Sequence, residues 1–226
     1  MLALGSAGAT PVSVTSGYQV EGLGFYSGTL DYVASSSTNA SLTLQLTNLA
    51  STSAGGNITA VAFNLPTESG VTFSGLSSTG PTGFVQLGSY VDTNSINASP
   101  IGYFDFGSAL ANSNGMGTPS WIGGGSPNSG IAVNSSGTFV FNFTGSNLDT
   151  LSTLSFVNAV APGYSEGPPE FIAVRFKGFT NGLSDKVGGF DPVNPPAVPV
   201  PASAWLLLSG LGGLGVLSRR KAAKPN

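Results

Sequence analysis

Leu42, Leu44 and Leu46 alternate with Thr43, Gln45 and Thr47. One apolar side chain every second residue marks a half-buried strand, and a chain that keeps returning to this period must build sheets. Phe139, Phe141 and Phe143 repeat it within 138–143. The run 57–65 is apolar on both faces and stops at Pro66, which predicts a central strand. Shorter strands are expected over 71–73, 83–87, 103–106 and 154–157. A longer one is expected over 171–179, where Phe171, Ala173 and Arg175 oppose Ile172, Val174 and Phe176. β-Branched and aromatic residues dominate these runs, and no stretch before Pro199 sustains a 3.6-residue period. Turn signals stand at Gly55 and Gly56, Asn114 and Gly115, and Asn181 and Gly182. The expected body, residues 11–190, is all-β: an antiparallel β-sandwich, jelly-roll-like or immunoglobulin-like. The glycine-rich stretch 112–129 fits neither regular structure.

Composition narrows what such a body can do. Charged residues are only 8% of the chain, while hydrophobic residues are 40%. Polarity comes instead from Ser, Thr, Asn and Gly, and a surface of hydroxyls and amides suits an exported protein among sugars. All ten acids precede Pro199 against three bases (Arg175, Lys177 and Lys186), so the body sits near −7. A phosphate backbone demands clustered Lys and Arg, so nucleic acid is excluded as a partner. The chain has no cysteine and no histidine. That removes disulfides, thiolate metal sites and the Ser/His/Asp device, along with the commonest general base.

The tail follows different rules. From Ala202 to Leu217 there is no charge, and Leu206, Leu207, Leu208, Leu211, Leu214, Val216 and Leu217 are strongly apolar. Together they contribute about −2 to −4 kcal/mol toward membrane insertion. Gly210, Gly212, Gly213 and Gly215 dilute the gain but are tolerated in lipid. Counted over 198–218, a helix reaches about 30 Å, enough for a single transmembrane span. Pro199 and Pro201 fix its start, and Trp205 lies where an indole anchors at the interface. Arg219, Arg220 and Lys221 form a basic stop, which the positive-inside rule keeps cytoplasmic along with 222–226. The proline-rich linker 191–198 continues to Pro201 and holds the body at most about 35 Å from the membrane.

Val198, Pro199, Val200 and Pro201, the Trp-Leu-Leu-Leu entry, the glycine-rich helix and the Arg-Arg-Lys end together resemble the PEP-CTERM sorting signal. Here Pro-Val-Pro stands in place of the usual Pro-Glu-Pro. The resemblance covers 199–221 and implies a bacterial exported protein whose tail is a temporary anchor, cut by a membrane-embedded exosortase. The body would then pass to the cell surface or extracellular matrix, in a structural or adhesive role beside exopolysaccharide. The segments 58–66 and 173–179 are similar to β domains in that family, which implies fold and location rather than chemistry. At the other end, 1–10 reads as the remnant of a signal peptide, with Ala7 and Ala9 in an Ala-x-Ala pattern. The expectation is a true start further upstream, or a fragment.

No catalytic residue is expected, and no cofactor. Gly210, Gly212 and Gly215 form a formal dinucleotide fingerprint, but inside an apolar helix it binds no nucleotide. Glu166, Glu170 and Asp105 are the carboxylates a glycosidase would need. As loop carboxylates, Glu166 and Glu170 are expected to be solvated or bound to turn amides. Asp105, between Phe104 and Phe106, is expected to point outward. Asn147 with Asp149, or Asp185 with Asp191, offers hard oxygen to calcium, though turn capping by Asn and Asp explains them as well. Trp121, in its glycine-rich loop, is the candidate ligand-binding residue for carbohydrate, with Tyr18, Tyr26, Tyr32, Tyr90, Tyr103 and Tyr164 scattered along the body. The favoured reading of Trp121 is a plug folded back over one end of the sandwich.

Overall fold

A computed structural model describes residues 10–111 and 127–190. The strands are β1 (Val12–Gln19), β2 (Tyr26–Ser36), β3 (Asn39–Asn48), β4 (Gly55–Phe63), β5 (Thr72–Thr79) and β6 (Phe84–Gly88). They continue with β7 (Ile96–Asn97), β8 (Tyr103–Phe104), β9 (Phe106–Leu110), β10 (Ser136–Ser146), β11 (Ile172–Phe179) and β12 (Ser184–Phe190). Among the described residues, ten strands form one antiparallel sheet in the order β5-β10-β3-β2-β1-β12-β11-β4-β9-β6. The all-β antiparallel expectation holds. The arrangement, however, is one sheet curled on itself rather than two separate ones, and its edge strands β5 and β6 touch. Near-closure leaves little unpaired edge for another chain to pair with.

Aromatic rings fill the space between the two halves of the curl. Phe106 of β9 meets Phe141 at 5.1 Å and Phe143 at 5.5 Å, both edge-on, across the interior on β10. Phe63 of β4 lies 5.9 Å from Phe141. Such pairs contribute about 0.5–1.5 kcal/mol each beyond the apolar area they bury. The period of two thus places Leu42, Leu44 and Leu46 in the same interior, at no exposure.

The run 57–65 is apolar on both faces because β4 is covered on both. Ile58, Val61 and Phe63 belong to the main core, whereas Ala60 and Ala62 join a second cluster with Ala109 and Ala173. A register shift near Arg175 and Phe176 on β11 lets Ile58 and Val61 face the same way despite their odd spacing. The alanines keep the outer face low, so the β7–β8 hairpin lies across it, burying Ile96, Ile101 and Phe104.

One expected strand is a helix. Residues 154–157 lie in α1 (Thr153–Val157), started by a capping box between Ser152 and Ser155. The Ser152 hydroxyl accepts from the Ser155 amide, and the Ser155 hydroxyl accepts from the Ser152 amide. Two serines three residues apart therefore decide the local structure over a four-residue apolar run, and Phe156 still reaches the core. Ser152→Ala is expected to lower stability by about 1 kcal/mol, measured by urea denaturation.

Candidate functional site

The sorting and transmembrane residues singled out in 198–221, and Trp121, lie outside the described residues. Among the described residues no helix is long and apolar enough to cross a membrane. The carboxylates, in contrast, are placed. Asp185 is buried on β12, where Oδ1 accepts from the Glu21 amide at 2.9 Å and Oδ2 from the Leu23 and Gly24 amides, both at 2.8 Å. Asn147 adopts a left-handed turn and donates its amide to the Gly70 carbonyl, so it acts as a turn residue. No group of three or more His, Cys, Asp or Glu suited to a metal occurs among the described residues.

Glu166 and Glu170 converge on a single residue, Tyr18 of β1. The Tyr18 hydroxyl donates to Glu166 Oε2 at 2.6 Å, and its backbone amide donates to Glu170 Oε1 at 2.9 Å. The Glu166 bond is the main reason the Tyr18 phenol is raised above its usual range. Glu170 is 1% exposed, and burial pushes its carboxyl up to about 7, against the opposing pull of amides from Tyr18 and Gly189. The two glutamates therefore fasten the loop after α1 to β1. Glu170 thus departs from the expectation of a solvated or turn-bound loop carboxylate: it is deeply buried, and the amides it accepts from, Tyr18 and Gly189, belong to strands β1 and β12.

Asp105 does not point outward. It is buried at the β8–β9 junction, where Oδ2 accepts from the Leu65 amide at 2.8 Å and Oδ1 from the Asn94 amide at 2.6 Å. Those bonds draw together the chain leaving β4, the turn at Asn94 and the β8–β9 corner. Against them lies the segment after α1, with Asn158, Val160 and Pro162, and the four enclose a cleft of about 360 Å³. Asn64 and Asp105 line its polar side, Val160 and Pro162 its apolar side. Asn64 was not legible as a site residue. Its one sequence signal is an amide directly after the apolar run 60–63, just ahead of Leu65 and Pro66.

Two other surfaces carry distinct chemistry. A shallow groove of about 380 Å³ crosses the outer face of β5, β10, β3 and β2. There register aligns Ser77, Asn142, Ser41 and Val33 in one row without a charge. On β11 and β12, Arg175 sits directly opposite Lys186, with Lys177 two residues further along. Burial lowers all three cations, and the Arg175 charge further lowers both lysines. Lys186 Nζ donates to the Ser99 carbonyl, tying the loop after β7 to the sheet.

No protein-family model matches the chain, and no curated protein matches it in sequence.

Proposed function

We propose that this chain is an exported surface or matrix protein, carried to the membrane by a PEP-CTERM-type tail and released there by an exosortase. The observation that carries the reading is the order of three features: Pro199 and Pro201, the uncharged run 202–217, and Arg219-Arg220-Lys221. In this reading 202–218 forms one transmembrane helix. The curled sheet acts as a flattened sandwich of the jelly-roll or immunoglobulin kind, with a structural or adhesive role beside exopolysaccharide. The body supports a non-catalytic role through what its carboxylates do. Asp185, Asp105 and Glu170 each hold backbone amides that fix loop positions. A glycosidase instead needs one carboxyl free to donate and another free to attack or activate water.

Expression beside an exosortase tests the sorting step. With Pro199 and Pro201 both replaced by alanine, the full-length form is expected to stay in the membrane fraction. The unaltered protein should leave it without detergent, with a new C-terminus near 199–201 seen by mass spectrometry. Equal release of both forms would remove the basis of the proposal. A second reading, as a carbohydrate-binding module, is favoured by the cleft beside Asn64 and Asp105.

A further inference from the structure

We infer that this cleft is a saccharide site, taking a sugar unit of a neutral glycan; the inference deepens the reading of the chain as a matrix protein. The first observation is an orphaned acceptor. Asn64 is 6% exposed, and its Nδ2 donates to the Tyr103 carbonyl at 3.3 Å. A carbonyl can only accept, so this bond fixes which way the amide points. Asn64 Oδ1 is then left buried with no donor from the described residues. A buried acceptor without a donor bears its full desolvation cost, and a hydroxyl seated in the cleft offsets it.

The second observation is the company Asn64 keeps. Each Asp105 oxygen takes one amide, from Leu65 and Asn94, and a carboxylate oxygen accepts two. Asn64 and Asp105 therefore offer acceptors to a ligand's donors, beside the hydroxyls of Thr67 and Thr93 and the side-chain amides of Asn94 and Asn158, which donate as well as accept. A hard cation is a poor fit, because it takes six to eight oxygens and usually several carboxylates, and here there is one. An anion is repelled by Asp105. What remains is a neutral ligand rich in O–H.

The third observation is the apolar rim. Val160 is 45% exposed and lines the cleft, and Tyr103 is 37% exposed. Tyr103 is anchored to two lining residues: its carbonyl to Asn64, and its amide to the Pro162 carbonyl at 3.0 Å. Its ring packs over Gly163, where an added Cβ would come within 2.7 Å of it. Tyr164 follows directly, 47% exposed. Sugars present C–H faces as well as hydroxyls; Leu65, Val160 and Pro162 give the cleft its apolar surface, and Tyr103 and Tyr164 lie on the adjoining segments. The volume, about 360 Å³, falls within the range of small-ligand pockets.

The test uses the full chain in detergent, titrated calorimetrically with cellohexaose, laminarihexaose and maltohexaose, with polygalacturonate as the charged control. Binding of at least one neutral hexaose, and weaker binding of the uronate, is expected. Asn64→Ala should weaken that binding about tenfold by removing one hydrogen bond. Its melting temperature should be unchanged or higher, because the orphaned acceptor goes with it. Tyr103→Ser should weaken binding by a similar factor and keeps the fold testable should the Asn64 variant unfold. Binding of none of the three hexaoses, or both variants binding like the unaltered protein, overturns the assignment. The titration does not involve processing, so a failed sorting assay leaves it standing, and the converse holds too.

Discussion

Replacing Asp185 with alanine is expected to lower stability by about 3–5 kcal/mol, a large share of what a domain of this size has. The carboxylate is 1% exposed and holds three amides of the turn between β1 and β2, those of Glu21, Leu23 and Gly24. Backbone bonds hold that turn's two ends, from the Val20 amide to the Lys186 carbonyl and from the Leu49 amide to the Phe25 carbonyl. Its course is set by one charge-assisted fork, stronger per bond than neutral pairs. Gly24 must pass close to the core, since a Cβ there would come 2.6 Å from the Phe176 ring and 2.8 Å from Val187. With alanine at 185 the amides near that passage lose their acceptor where water has little access. Asp185→Asn keeps one acceptor oxygen and places an NH₂ against amides, so it should cost nearly as much. Urea denaturation of both variants decides the matter, and a loss under about 1 kcal/mol for Asp185→Ala would show that the turn finds other partners.

What was legible in the sequence divides along physical lines. Phe139, Phe141 and Phe143 are buried and inward as their period required, and so are Leu42, Leu44 and Leu46. Those strands carry their own partition between water and core, so local pattern suffices. β1 and β12 do not. β1 buries only Val14 fully, its other residues from Val12 to Gln19 being half-buried apart from the exposed Ser13; its partners are β2 and, from the far end of the body, β12. β12 contains Gly188 and Gly189, residues that weaken a strand reading. They are required there because Glu170 and the Tyr26 hydroxyl occupy the space of a side chain: an added Cβ would lie 2.3 Å from Glu170 Cγ and 2.1 Å from that oxygen. The cause sits in partners far away in sequence, which no window along the chain contains. α1 fails for the opposite reason, since two serines outweigh a short apolar run.

The site was legible only in part. Asp105 stood out as a carboxylate between two phenylalanines, but its outward placement assumed that nothing would meet it. Amides from Leu65 and Asn94 converge on it through tertiary packing. Tyr103 was one of several scattered tyrosines until the β7–β8 hairpin folded over the outer alanines of β4 and set its carbonyl against Asn64. Asn64 carries no chemistry in sequence at all. Its interest arises from a buried oxygen without a donor, and burial is a property of the fold.

Stability should fall as pH rises from about 4.5 to about 7, and Glu170 is the residue responsible. In the unfolded chain its carboxyl titrates at the ordinary 4.5; in the fold, burial raises it to about 7. Between those values the native state binds the proton that the unfolded state has released, so unfolding becomes easier with increasing pH. The stabilisation is complete below 4.5 and gone once pH has passed through 7; at 1.36 kcal/mol per unit it is worth about 3 kcal/mol. The groups around Glu170 favour this sign. Burial is the cause that raises Glu170, Gly188 packs on its side chain, and Glu166 shares Tyr18 with it; the Glu170 charge in turn adds to the raised Tyr26 phenol. No cation among its named contacts offsets the charge. Glu170→Gln keeps an acceptor for the Tyr18 amide and cannot ionise. Its stability should match the unaltered protein near pH 4.5 and exceed it by about 3 kcal/mol at pH 8, the gap opening across the window between. Parallel profiles for the two proteins, measured by urea denaturation from pH 4.5 to 8, would mean that Glu170 ionises in the fold as easily as in water.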